Sequence, residues 1–191
     1  MVDLLNDGVC SINNNNLNNL NNLPSPEECE RILGLSVGDA RQRHCRAVAK
    51  LARRIALALL QAGHCLDTEL IFVAGMLHDV AKGQPDHAAL GAKMIAGLGY
   101  PQVAEIIAQH MDITLSGPEV VNAAEVVYLA DKLTEGDRVV GLKRRFEMLA
   151  ERYPYDYKAQ ASIKARLTKA GLIQKKIEGI LGTSIDSCWQ E

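Results

Sequence analysis

Aromatic residues make up only 4% of this 191-residue chain, with one Trp and two Phe. Its core must therefore be built from Ala, Leu, Ile and Val, a composition that favours helices over a β-sandwich. No apolar run is longer than Ile55 to Leu60, far too short to cross a bilayer. An excess of one charge is missing as well: 21 basic residues against 23 acidic ones leave a net −2. That near-balance argues against a dedicated nucleic-acid or membrane-surface protein. The cysteines Cys10, Cys29, Cys45, Cys65 and Cys188 are odd in number and contain no CxxC pair. This argues against a zinc ribbon or a secreted disulfide framework, and a cytoplasmic location fits best. The opening Met-Val-Asp-Leu-Leu-Asn-Asp has no basic stretch followed by an apolar one, so no signal peptide is read there. Histidine is scarce too, with five residues, at 44, 64, 78, 87 and 110.

What is present is enough for one domain. Hydrophobic residues are 48% and charged residues 23% of the chain, which supports a core and excludes wholesale disorder. Eight of the ten residues from Asn13 to Asn22 are asparagine. Such a tract has no hydrophobic face, so residues 1–23 are expected to be a disordered tail, or a linker to a longer polypeptide. A folded domain is expected over 24–191. It opens on Ser25-Pro26-Glu27-Glu28, which reads as an N-cap, a proline at the first helical position and an acidic first turn.

From Asp39 onward the chain reads as consecutive helices, and no segment alternates at period two. The expected fold is all-α. His44, Val48, Leu51, Ile55 and Leu59 form one helical stripe ending at Gly63. Asp67 is the expected N-cap of a helix with Leu70, Ile71, Ala74, Leu77 and His78 inward and Gly83 as its stop. Pro85-Asp86 opens a short helix carrying His87. Pro101 opens one with His110 on its apolar side, and Pro118 opens one with Val120, Ala124, Val127 and Asp131 on one side. A basic stretch at Lys143-Arg144-Arg145 lies in a further helix, and the last runs from about Lys158 to Leu181.

These stripes place His44, His78, His110 and Asp131 on inward faces, with Asp79 beside His78 and His87 in a first turn. A single buried imidazole is usually a structural residue bonded to a carbonyl. A buried carboxylate is harder to dismiss, because an unpaired buried charge costs several kcal/mol. Four imidazoles and two carboxylates from five helices satisfy one another through metal ions, and the mixture suits Fe, Mn, Co, Ni or Zn. The basic residues Arg41, Arg43, Arg46, Lys50, Arg53 and Arg54 read mostly as a solvated face, with Arg43 and Arg46 the ones considered for substrate phosphates. His64, beside Gly63, is left outside the set, and Cys45 is given no role.

The order His44, then His78-Asp79, then Asp131 within Leu129-Ala130-Asp131-Lys132 resembles the HD-domain superfamily of metal-dependent phosphohydrolases. Met76-Leu77-His78-Asp79-Val80-Ala81-Lys82 is similar to the central signature of that superfamily, and the likeness spans about residues 40–140, ahead of C-terminal helices over 141–185. It implies an HD helical fold with the metal site in the core of the bundle. His44, His78, Asp79 and Asp131 are implied as ligands of a first metal. His87 and His110 match the extra histidines of binuclear members, with Asp79 bridging. Among these the chain looks most like the hydrolases that cleave diadenosine tetraphosphate symmetrically. Gly99-Tyr100-Pro101 spells the tripeptide of cyclic-di-GMP phosphodiesterases, but the residues before it depart from that pattern, and a helix junction is the better reading.

The resemblance implies metal-activated water attacking a phosphoester or phosphoanhydride of a nucleotide or other small phosphorylated metabolite. Asp79 is then catalytic as well as a ligand, Lys82 neutralises charge on the phosphoryl group or leaving oxygen, and Arg138 is a candidate phosphate clamp. Neither nucleic acid nor membrane is an expected partner, and a homo-oligomer is left open. Two other readings stand beside this one: an HD-type di-iron oxygenase with the same ligand set, and a regulatory HD module without turnover.

Overall fold

The computed structural model describes residues 22–189. The tail expected over 1–23 lies outside them apart from its last two residues, of which Leu23 packs against the core. The described chain is all-α. Helix α1 (Pro26–Ser36) is followed by α2 (Asp39–Gln61), α3 (Thr68–Leu77), α4 (His87–Gly97), α5 (Pro101–Ala108) and α6 (Ala123–Leu133). A hairpin of two-residue strands, β1 (Thr134–Glu135) and β2 (Arg138–Val139), leads to α7 (Gly141–Arg152) and α8 (Tyr157–Leu181), and a 3₁₀ turn closes the described chain at Ile185–Cys188. None of these helices is long and apolar enough to cross a membrane.

Local chemistry sets the boundaries. The Ser25 hydroxyl accepts from the Glu28 N–H at 3.2 Å and Pro26 opens α1. Asp67 accepts from Glu69 and Leu70 N–H at 3.0 and 2.9 Å to start α3. Gly99, with φ +96°, ends α4, and Pro101 starts α5, so Gly99-Tyr100-Pro101 is a helix junction. Three boundaries differ from expectation: α3 ends at Leu77 and not at Gly83, α5 ends at Ala108 short of His110, and the helix expected at Pro118 starts later. Pro118 does not start a helix; α6 begins at Ala123, because Asn122 and Glu125 form a reciprocal capping box. That signature is in the sequence, but proline outranked it as a start signal.

The core is aliphatic, as composition requires, and α3 runs through it. Nearly all of α3 from Ile71 to Leu77 is buried. Its approach to α2 depends on Gly75, where an added Cβ would lie 2.7 Å from the Ala49 Cα. Helix α6 is buried along its whole length, with the fully enclosed Glu125 carboxylate held by Lys176 Nζ of α8 at 2.7 and 2.8 Å. The central pair α2–α3 is thus closed by α5 and α6, and His44, His78, His87 and His110 come together beside them.

Candidate metal centre

His44 comes from the second turn of α2. His78 and Asp79 follow directly on α3, which ends at Leu77, well before the expected stop at Gly83. From there the chain tightens: the Val80 N–H bonds Leu77 O at 3.1 Å and the Lys82 N–H bonds Asp79 O at 2.9 Å, both three-residue turns. His87 opens α4 after Asp86, whose φ of +47° is a left-handed conformation that Asp tolerates better than most residues. His110 stands just beyond α5, and Asp131 lies in the last turn of α6.

These six residues converge. His44 and His78 rings stand 5.3 Å apart, His78 and His110 5.3 Å, and His87 and His110 5.0 Å. His44, His78 and Asp79 offer donor atoms that all lie within 4.8 Å of one another, and so do Asp79, His87 and His110. Asp79 belongs to both groups. Asp131 completes the first, with Oδ1 at 3.1 Å from His44 Nε2 and 3.6 Å from His78 Nε2.

Tautomers follow from the backbone. The Nδ1 atoms of His44, His78 and His110 lie 2.7, 2.8 and 2.7 Å from the carbonyls of Gly136, Gly75 and Ile107. A carbonyl only accepts, so each Nδ1 carries a proton, and each ring in its neutral form turns an Nε2 lone pair inward. There these lone pairs meet other acceptors. His110 Nε2 is 3.3 Å from Asp79 Oδ1 and 3.1 Å from His87 Nε2. His78 Nε2 and Asp79 Oδ1 are buried with no hydrogen-bond partner. Acceptors facing acceptors in a dry core need a cation between them, and a divalent ion bound by imidazole and carboxylate fits this donor set.

Electrostatics agree. Burial pushes the Asp79 carboxyl up, yet positive charge on His78 and the close approach of the His110 and His87 rings outweigh it and hold the group far below the usual carboxylate range. Asp131 is also held well below that range, as Lys132, His44 and His78 overcome its burial. Burial lowers His110. For His78 burial is again the largest influence, but Asp79, Asp131 and the Gly75 carbonyl together reverse it and raise the group. The centre is built to hold positive charge between two carboxylates.

The HD domain family matches residues 41–136, just over half of the chain. The chain belongs to the HD domain family. An uncharacterized protein of Methanocaldococcus jannaschii is 33% identical over 69 residues, which cover 35% of this chain and 41% of that protein. The match therefore spans well under two thirds of the relative's length. No solved structure matches the chain.

Around this HD centre, Arg41 Nη1 donates to Asp79 Oδ2 at 2.7 Å. The buried Lys132 donates to Asp131 Oδ2 and to His110 O at 2.9 Å, and its Nζ sits 4.6 Å from the Tyr128 ring centroid. Lys82 Nζ lies 3.3 Å from His87 Nε2 and 3.4 Å from Asp79 Oδ1. A cavity of about 540 Å³ opens beside the centre, lined among others by Asp79, Asp131, Lys82, Arg41 and Lys132. Arg138 is not among its lining residues; it sits exposed in β2. Arg43 and Arg46 are not there either, being paired with Asp137 at 3.6 Å and with Glu30. The basic residue of α2 that reaches the site is Arg41, one turn before His44, which sequence reasoning left on the solvated face. A charged residue facing a polar cavity has the same periodicity as one facing water, so the pattern held no signal for it. Lys132 stood inside the quoted Ala-Asp-Lys segment, but its hold on Asp131 was not anticipated. His64 and Cys45 stay outside the set.

Proposed function

We propose that this chain is a metal-dependent phosphohydrolase cleaving a phosphoester or phosphoanhydride bond of a small phosphorylated substrate, a nucleotide in first place. One observation carries the reading: Asp79, the carboxylate shared by the two donor groups, lines a cavity rich in cationic side chains. The set would hold two ions, with His44, His78, Asp79 and Asp131 around one and Asp79, His87 and His110 around the other. Divalent ions bound there would polarise phosphoryl oxygens and lower the pKa of a bound water toward ~7. The Asp79 carboxylate, fixed at Oδ2 by Arg41, orients the attacking water, whose proton passes to solvent in the cavity. Lys82 donates from Nζ to the phosphoryl or departing oxygen as charge builds there. Lys132 keeps Asp131 oriented. The cationic lining fits the anionic, phosphorylated substrate that the hydrolase reading requires. A nucleotide is put first on the motif resemblance read in the sequence to symmetrical diadenosine tetraphosphate hydrolases.

The test is phosphate or nucleotide release from nucleoside mono- and diphosphates, dinucleoside polyphosphates and sugar phosphates, using protein loaded with Mn, Fe, Co or Ni. Turnover that is lost on chelation and restored by metal is expected. No turnover of any substrate by protein of verified metal content, or oxygen consumption by its reduced iron form, would overturn the proposal.

A further inference from the structure

Residues after 136 lie outside the stretch matched to the HD family, yet they build part of the site. Helices α7 and α8 form a hairpin whose Arg145, Arg152 and Arg166 line the same cavity as Asp79 and Lys82. A second concavity, about 510 Å³, lies on the His44 side and shares Arg41, Arg145 and Arg152 with the first. These three arginines therefore stand between two concavities, one lined by His44 and the other by Asp79 and Asp131.

The charge of this wall is not balanced from within. Arg145 and Arg152 share one carboxylate, Glu135. Arg166 makes no ion pair within 4 Å among the described residues, and the exposed Asp112 is the carboxylate whose charge it favours from further off. In the first concavity the lining carboxylates are Asp79 and Asp131, both committed to the centre. The Arg145 side chain is only 16% exposed and its Nε is buried without an acceptor. A half-buried guanidinium with an unused donor is set for an anion, and its planar fork matches phosphate oxygens in pairs. Lys82 already stands at the centre to serve a phosphate there, so three further arginines on another wall exceed what one phosphate needs. Met111, Leu149 and Ile163 line the same cavity and supply apolar surface for an uncharged body of the substrate.

We propose that the α7–α8 hairpin is a second phosphate-binding subsite, and that the substrate carries a further phosphate group besides the one attacked. This rests on the hydrolase reading and deepens it. A polyphosphate chain on a nucleoside and a second phosphate on a sugar present the same chemistry to the wall.

Calorimetric binding to the metal-loaded protein tests this with matched probes: AMP against a methylene-bridged ATP analogue, and a hexose 6-phosphate against the hexose 1,6-bisphosphate. In at least one pair the multiply phosphorylated partner is expected to bind about tenfold tighter, the factor that one charge-assisted hydrogen bond supplies. The pair that shows it identifies the source of the second phosphate. In R166A, and independently in the surface variant R152A, that ratio should fall to about threefold or less, and R166K should recover part of it. Equal affinities within both pairs, or ratios untouched by both variants, would overturn the subsite while leaving the hydrolase reading intact. Failure of every probe to bind metal-loaded protein would overturn both.

Discussion

At Asp79 two requirements meet in one carboxylate. Oδ2 is pinned by Arg41 at 2.7 Å, while Oδ1 is buried without a hydrogen-bond partner and faces the His87 and His110 rings at 3.4 and 3.3 Å. Lys82 stands at the exposed edge of the same group. Replacing it as K82M should leave metal content intact and lower kcat about 10²-fold, the effect of removing one preorganised donor; unchanged kcat in steady-state assays would remove Lys82 from the mechanism. Proton competition follows from His78. Its folded value is raised above the ordinary one, so around neutral pH the ring is disposed to hold a proton on the atom that a metal must take. His110, lowered by burial, is already neutral and competes less. Apparent metal affinity should therefore rise with pH, by about tenfold per unit for one displaced proton, until His78 is deprotonated in the free protein. Competition titrations with a chromogenic chelator between about pH 6 and 8 check this, and a flat profile would contradict it.

The elements hold these residues by contacts of very different legibility. Helix α3 presses on α2 through Gly75, whose carbonyl also fixes the His78 ring. A methyl at that point meets backbone, which cannot yield as a side chain does. G75A should cost about 1–3 kcal/mol and lower Tm by roughly 3–10 °C, and a melt unchanged from wild type would show that the helices have room. In α6, K176M would leave the Glu125 carboxylate buried beside Ser116 and Asn122 with its cation gone. The expected loss is about 3 kcal/mol by denaturant unfolding, with metal content retained by the folded fraction. Neither contact was readable beforehand. The inward placement of His44, His78, His110 and Asp131 was, because apolar periodicity marks which face of a helix enters the core whatever residue stands there. His87 was readable from its position after Pro85-Asp86. Arg41, Arg145, Arg152 and Arg166 were not, because periodicity separates core from non-core but does not separate a cavity wall from open water. Tertiary packing alone brings the arginines of the α7–α8 hairpin to the cavity that Asp79 and Asp131 line.

For the whole molecule, four of five scarce histidines and two carboxylates are gathered at one point in an aliphatic bundle of near-neutral charge. Their acceptor-only geometry leaves the centre stabilised by whatever cation it holds. Metal present at about 100 times its Kd should add about 2.7 kcal/mol to stability, and a chelator should lower Tm by roughly 5–10 °C, reversibly on reloading. The binuclear centre hinging on Asp79 is the claim on which the rest depends. Elemental analysis of the full chain, reloaded in turn with Fe, Mn, Co and Ni, tests it most directly alongside folded D79A. Two ions per chain in the unaltered protein and fewer than one in D79A are predicted. Less than one ion per chain in the unaltered protein with every metal, or equal content in both proteins, would contradict it.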